Sequence, residues 1–296
     1  MKISVIICTY NRAESLKDTL DSLLAQRCDE TFEYEIITVD NNSTDKTKEL
    51  TESYIQKFEG RGRYLFEPKQ GKPYALNRGI QESKGEILAF TDDDVIVDTK
   101  WLSEIHKNFA NPEIGISGGI INPIWQSEKP SWLTEKLYGS LALQNYGDKP
   151  FMSSLSNRLP FGASFAFRKN LLQRYGLFDE KLIFAQDTEI CLRLLKNKVT
   201  FGYNPNIIAY HKIPSERLKK EYFYKWFYRR GKLSQYYKEM PPVKFYHPFG
   251  IPLWMILEYI HLAITSLNPF SRESERLYQR CLSFKTLGTM TGRFTT

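Results

Sequence analysis

The chain has 296 residues, 42% hydrophobic and 25% charged, which is the make-up of a folded globular protein and excludes a disordered or fibrous one. The net charge of +7 favours an anionic partner: nucleic acid, an anionic membrane surface or a phosphorylated substrate. Four scattered cysteines (Cys8, Cys28, Cys191, Cys281) with no CxxC spacing give neither a disulfide framework nor a zinc site, and fit a reducing compartment.

Met1 and Lys2 lead straight into the apolar run Ile3-Ser4-Val5-Ile6-Ile7-Cys8, without the pattern of a secretory leader. The expected location is therefore cytoplasmic. That run reads as a strand buried on both faces. Asn11 is placed to cap a helix with Glu14 three residues on, and Leu16, Leu20, Leu23 and Leu24 form its apolar stripe. Residues 34–39 read as a second strand ending at Asp40. The turn cluster Asn41-Asn42-Ser43-Thr44-Asp45 then enters a helix with Leu50, Tyr54 and Phe58 on one side.

Residues 63–66 make a short strand, Lys69-Gln70-Gly71-Lys72-Pro73 opens a helix with proline near its first position, and residues 86–91 make the next strand. Strands alternating with helices imply a parallel sheet covered on both faces, with ligands beyond the carboxyl ends of its strands. After about residue 111 the alternation weakens. Residues 115–121 read as a strand, 122–160 as a long irregular lid with one helix at most, and 161–168 as a strand entered through Gly162. Residues 187–196 read as a helix and 207–211 as the last strand.

Asp92-Asp93-Asp94 ends the apolar run of residues 86–91. Adjacent carboxylates repel one another, and a divalent cation with hard oxygen ligands offsets that repulsion. Cys8-Thr9-Tyr10, Asp40 and the triplet all fall at strand ends, so three separate positions converge on one sheet edge. A solvated acidic turn is the plainer reading of the triplet taken alone. For Asp40 and Asp187 it is a helix cap, and for Tyr10 a place in the core.

These segments resemble a known family. Ser4 to Arg12, Val39 to Asp45, Gly71 to Ile80, the aspartate triplet, and Phe178-Asp179-Glu180 with Gln186-Asp187-Thr188-Glu189 follow the order of motifs in family 2 glycosyltransferases of the GT-A fold, over residues 3 to about 211. The resemblance implies an α/β, Rossmann-type, mostly parallel sheet with helices on both faces at 1–212; the change of composition from about residue 213 leaves 213–296 as a C-terminal helical appendage. The resemblance also implies inverting transfer of a sugar from a nucleotide diphosphate-sugar, a UDP-sugar above others, to an acceptor hydroxyl; the basic aromatic segment of the C-terminal part points to a glycan or lipid-linked acceptor, as in bacterial polysaccharide or glycolipid synthesis. Donor contacts are expected at Cys8, Thr9, Tyr10, Arg12, Asp40, Lys72, Asp92 and Asp93. Mn²⁺ or Mg²⁺ is expected on Asp94 and His211, with Asp93 an alternative ligand, and Asp187 is the expected catalytic base. Gln186 departs from the family pattern, which usually has Glu there. A catalytically inactive nucleotide-sugar or glycan-binding scaffold is the alternative, and a nucleotidyltransferase of related fold is a second.

The C-terminal part reads differently. Residues 216–232 hold seven Lys or Arg against two Glu, and residues 222–228 hold six aromatics. Basic and aromatic residues together fit either a helix packed on a neighbour or an anionic membrane surface, here the inner face of the cell membrane. Residues 251–267 form the most apolar window, which Glu258 and His261 interrupt; it is too short for a membrane span and reads as a core or interfacial helix. No nucleic-acid module is visible.

Overall fold

The computed structural model describes residues 1–28, 32–154, 158–182, 184–233 and 253–292. The first four strands are β1 (Lys2–Thr9), β2 (Glu33–Asp40), β3 (Gly62–Phe66) and β4 (Ile87–Asp92), separated by helices α1 (Ala13–Leu24), α2 (Thr47–Lys57) and α3 (Lys72–Glu82). Then come β5 (Val95–Val97), α4 (Trp101–Asn108), β6 (Ile114–Trp125), β7 (Phe151–Ser153), β8 (Ser164–Arg168), α5 (Lys169–Tyr175), α6 (Gln186–Lys196) and β9 (Thr200–Ile213).

Eight strands lie in the order β3-β2-β1-β4-β8-β6-β9-β5, with β7 alongside β9. The expected parallel sheet spans β3-β2-β1-β4. Beyond it β8 runs antiparallel to both β4 and β6, and β5 and β7 run antiparallel to β9. Ile3, Val5, Ile6 and Ile7 are wholly buried, and since side chains alternate along a strand, both faces of β1 are covered. Ile6, Val39 and Phe90 pack with Ala75, Leu76 and Ile80 of α3 and with Ile190 and Leu194 of α6. Gly79 permits this close fit, because a Cβ there would lie 2.6 Å from Ile6 Cγ2.

Several expectations shift. Asn11 does not cap α1: it takes a left-handed backbone (φ 51°), and Arg12 holds the cap position. The lid read at 122–160 is shorter than expected, because β6 runs on to Trp125, a 3-10 turn covers Glu135–Leu141 and β7 adds a strand; residues 155–157 of that stretch lie outside the described ones. The last strand is not five residues but fourteen, Thr200–Ile213, because Asn204, Pro205 and Asn206 continue it where turn residues argued for a break.

The chain separates into two compact units: residues 1–124 with 142–212, and residues 125–141 with 213–296. The second is helical, with α7 (Lys220–Leu233), α8 (Leu253–Thr265) and α9 (Glu273–Gly292). The aromatic run of α7 is largely internal: Phe223 and Phe227 are buried, Phe223 meets Trp132 edge-on, and Tyr224 stacks on Phe284 of α9. Helices α7 and α9 touch through glycines, since a Cβ on Gly231 would lie 1.9 Å from the Lys285 carbonyl oxygen and one on Gly288 2.0 Å from that of Tyr228. Residues 251–252 of the apolar window lie outside the described ones; the rest begins α8. Among the described residues no helix is long and apolar enough to cross a membrane.

Candidate active site

The parallel register carries the expected site residues to one edge. Thr9 lies beside Asp40, and Cys8 lies beside Asp92, at the carboxyl ends of β1, β2 and β4. Two loops hold this edge in place. The Asn11 amide donates to Ser43 Oγ, the Thr44 amide donates to Asn11 Oδ1, and the Ala13 amide at the start of α1 donates to Asp45 Oδ2. The left-handed turn at Asn11 thus clasps the loop after β2, and Asp45, not Asn11, supplies the carboxylate at the N-terminus of α1.

Asp40 is almost wholly buried. Its Oδ1 accepts from the Ser43 amide at 2.9 Å and its Oδ2 from the Tyr64 hydroxyl at 2.8 Å. A carboxylate has about four acceptor positions, so both oxygens keep one for a further donor. Neighbouring Asn41 sets the next loop: its amide nitrogen donates to the carbonyls of Glu67 and Lys69, and its Oδ1 accepts from the Gly71 amide. Tyr10 is 48% exposed and offers an open ring face, so it is not a core residue.

Each of the three aspartates has a cation against it. Arg12 Nη1 lies 3.1 Å from Asp93 Oδ1 and 2.9 Å from Asp94 Oδ2. Lys72 Nζ, at the first position of α3, lies 2.5 Å from Asp92 Oδ1. His211 Nε2 is 3.3 Å from Asp94 Oδ1, and the pairing of Val95 with His211 between β5 and β9 fixes that approach. Asp93, Asp94 and His211 are buried while Asp92 is partly open, so the triplet is not a solvated turn. Burial, opposed by Arg12 and reinforced by Asp94 and Asp92, pushes the Asp93 carboxyl up to about 6. Desolvation works against the charge on Lys72, but Asp92, with Asp187 adding to it, holds the ammonium above its ordinary range. Burial raises the Cys8 thiol, which keeps it neutral beside these groups.

Asp187 stands in the first turn of α6. Its Oδ2 accepts from the Gly162 amide at 3.0 Å and its Oδ1 from the Thr188 amide at 2.7 Å. The Gly162 backbone lies close to Asp187, whose Cβ would be 3.3 Å from a Cβ at 162. Gln186 donates its side-chain amide to the Leu182 carbonyl, a contact that a glutamate cannot make. Glu189 is tied by both oxygens to Arg193, which also clamps the carbonyls of Tyr175, Gly176 and Leu177, so it serves the fold. Asn77 does the same from α3, exchanging hydrogen bonds with the Phe178 backbone.

Among the described residues no three of His, Cys, Asp and Glu form a ready-made cation cage. Magnesium-type ions are held by one or two carboxylates with water and substrate phosphates completing the shell. Buried Asp94 with His211 on one oxygen, flanked by Asp93, fits such an ion in donor chemistry.

The sequence profile of glycosyl transferase family 2 matches residues 4–180. The chain belongs to that family. It is 24% identical over 205 residues to the glucosyl-dolichyl phosphate glucuronosyltransferase of Haloferax volcanii, covering 66% of this chain and 63% of the relative. It is 24% identical over 264 residues to glycosyltransferase AglE of the same organism, covering 87% and 81%. The fold is shared with the mannosyltransferase of Pyrobaculum calidifontis solved with GDP-mannose and Mn²⁺, at a TM-score of 0.65 and 19% identity over 99% of this chain and 86% of that one. The expected GT-A architecture is thereby borne out.

Sequence reasoning passed over Asn41, Tyr64 and Asp45 as parts of the site. Asn41 and Asp45 lay in a turn cluster whose composition explained itself, and Tyr64 gives no signal until β3 is paired with β2 in register.

Proposed function

We propose that this family 2 chain is an inverting glycosyltransferase that moves a sugar from a nucleoside diphosphate donor to an acceptor hydroxyl with the help of a divalent cation. The observation that carries the reading is the pair of cations, Arg12 and Lys72, on the three aspartates at the carboxyl edge of the sheet, with the His211 imidazole against Asp94 and Asp187 adding its charge to the field on Lys72. In the empty site these cations and carboxylates neutralise one another. A diphosphate takes over Arg12 and Lys72.

Asp40 accepts the base N–H with the acceptor positions that Ser43 and Tyr64 leave, and exposed Tyr10 stacks on the base. Uridine offers such an N–H, so UDP-sugars are the donors to test first. Cys8 and Thr9 line the floor of this subsite at the end of β1, and Asp92 and Asp93 face the ribose and phosphates. Asp94 and His211, with Asp93 the alternative ligand, would hold a Mn²⁺ or Mg²⁺ ion, which would supply positive charge to the leaving diphosphate.

Asp187 accepts the proton of the acceptor hydroxyl as its oxygen forms the new bond on the face opposite the diphosphate, which inverts the anomeric centre. The Gly162 and Thr188 amides fix the carboxylate's direction and leave it lone pairs for that proton. The Leu182 contact gives Gln186 a structural reason, so this departure from the family pattern does not favour an inactive scaffold. The acceptor we infer is a glycan, lipid-linked as in the name of the Haloferax relative, met in the cytoplasm.

The test is a panel of nucleotide-sugars followed for release of the nucleoside diphosphate with and without Mn²⁺. One donor is expected to be hydrolysed slowly and only with metal. Absence of turnover for every donor in the presence of Mn²⁺, acceptor included, contradicts the reading.

A further inference from the structure

Helix α8 turns an apolar stripe outward. Leu257, Ile260 and Ile264 follow helical spacing at 57%, 46% and 64% exposure, and Leu267 (75%) and Phe270 (97%) continue the exposed apolar surface past its end. Met255 and Leu262, on the other side, are buried. A surface helix of a soluble domain ordinarily turns such a stripe to the core. The same part of the chain also carries the charge. Residues 213–296 contain fourteen Lys or Arg and six Asp or Glu, whereas residues 1–212 contain twenty-seven and twenty-eight. By sequence, the positive excess of the whole protein therefore falls in the C-terminal part that contains α8, although α8 itself carries no Lys or Arg and exposes Glu258.

We propose that this face of α8, through Leu267 and Phe270, rests in the plane of an anionic lipid surface. A thirteen-residue helix is too short to span a bilayer, but an exposed apolar face on a basic part of the chain suits the boundary between head groups and acyl chains. Lys219, Lys225, Arg229, Arg272, Arg280 and Lys285 are exposed on the same unit and add attraction to anionic head groups. A second copy of this chain is the poorer occupant, because pairing two such faces brings two strongly positive units together. The aromatic run of α7, which the sequence also offered for this role, is largely packed against other parts of its own unit and is not the contact. The purpose rests on the lipid-linked acceptor read above; the binding itself does not.

The experiment is co-sedimentation of the full chain with vesicles of phosphatidylcholine alone and with added phosphatidylglycerol, at low and raised salt. No acceptor lipid is present, so failure here leaves the transfer reaction untouched. Binding is expected to the anionic vesicles, to weaken with salt, and to fall by at least about tenfold in a Leu257→Glu/Ile264→Glu variant that keeps its circular dichroism and its donor hydrolysis. Equal binding by the variant, or no binding to anionic vesicles, overturns the proposal. So does a dimer in solution that the double substitution dissolves, since the face then belongs to a second copy.

Discussion

Arg12 is the residue on which the charge balance of the edge turns. Its guanidinium spans Asp93 and Asp94, two buried carboxylates adjacent in the chain whose mutual repulsion it offsets. Arg12→Ala leaves them without that counter-charge, and the metal-free protein is expected to lose about 2 kcal/mol in chemical denaturation, a half-exposed guanidinium being worth less than a fully buried one. A cation that binds only the native state restores stability by mass action, so Mn²⁺ is expected to rescue this variant more than the wild type. An equal loss with and without Mn²⁺ removes the carboxylates as the cation's place. Asp94→Ala takes away the oxygen that faces His211. Calorimetry with UDP and Mn²⁺ is expected to show at least about a tenfold loss of affinity. Unchanged affinity moves the ligand role to Asp93.

At the scale of elements, the opposite end of the sheet is held by a buried polar knot. Ser4 Oγ donates to Glu35 Oε1 and accepts from the Gly85 amide, the Lys84 amide donates to the same Glu35 oxygen, and Arg63 pairs with the other. Burial works against the charge on Glu35, but these donors outweigh it and hold the carboxyl below its ordinary value of 4.5. A lowered carboxyl stabilises the fold above its unfolded-state value and loses that contribution as pH falls through the folded one. The acid limb of the stability curve, below pH about 4.5, is therefore expected to flatten in Glu35→Gln, and Glu35→Ala to cost about 3 kcal/mol at neutral pH. A limb of unchanged slope assigns acid unfolding elsewhere. In the helical unit, Gly288→Ala forces a Cβ onto the Tyr228 carbonyl, and a loss of about 1–3 kcal/mol in urea unfolding is expected from the separation of α7 and α9.

For the whole molecule, legibility follows topology. Up to β4 each strand returns through a helix, so the period switches from two to 3.6 and back, and a parallel sheet with its loaded edge can be read from the residues, though its strand order β3-β2-β1-β4 comes from the structure. Beyond it, β6, β8 and β9 pair antiparallel with neighbours distant in sequence, and their polar stretches, such as Asn204 to Asn206, mimic turns. From the residues alone His211 was a lone histidine, and only the family resemblance put it with Asp94; that the two meet depends on β5 and β9 pairing across more than a hundred residues. The exposed stripe of α8 was equally hidden, because apolarity shows in a sequence while its outward side does not.

The central claim is that the edge binds a nucleotide-sugar and that Asp187 takes the acceptor proton. It is tested by measuring UDP-Mn²⁺ binding and sugar transfer on the same preparation of Asp187→Asn. Affinity close to that of the wild type with transfer lowered by about 10²–10⁴-fold is the predicted result. Transfer at the wild-type rate contradicts it.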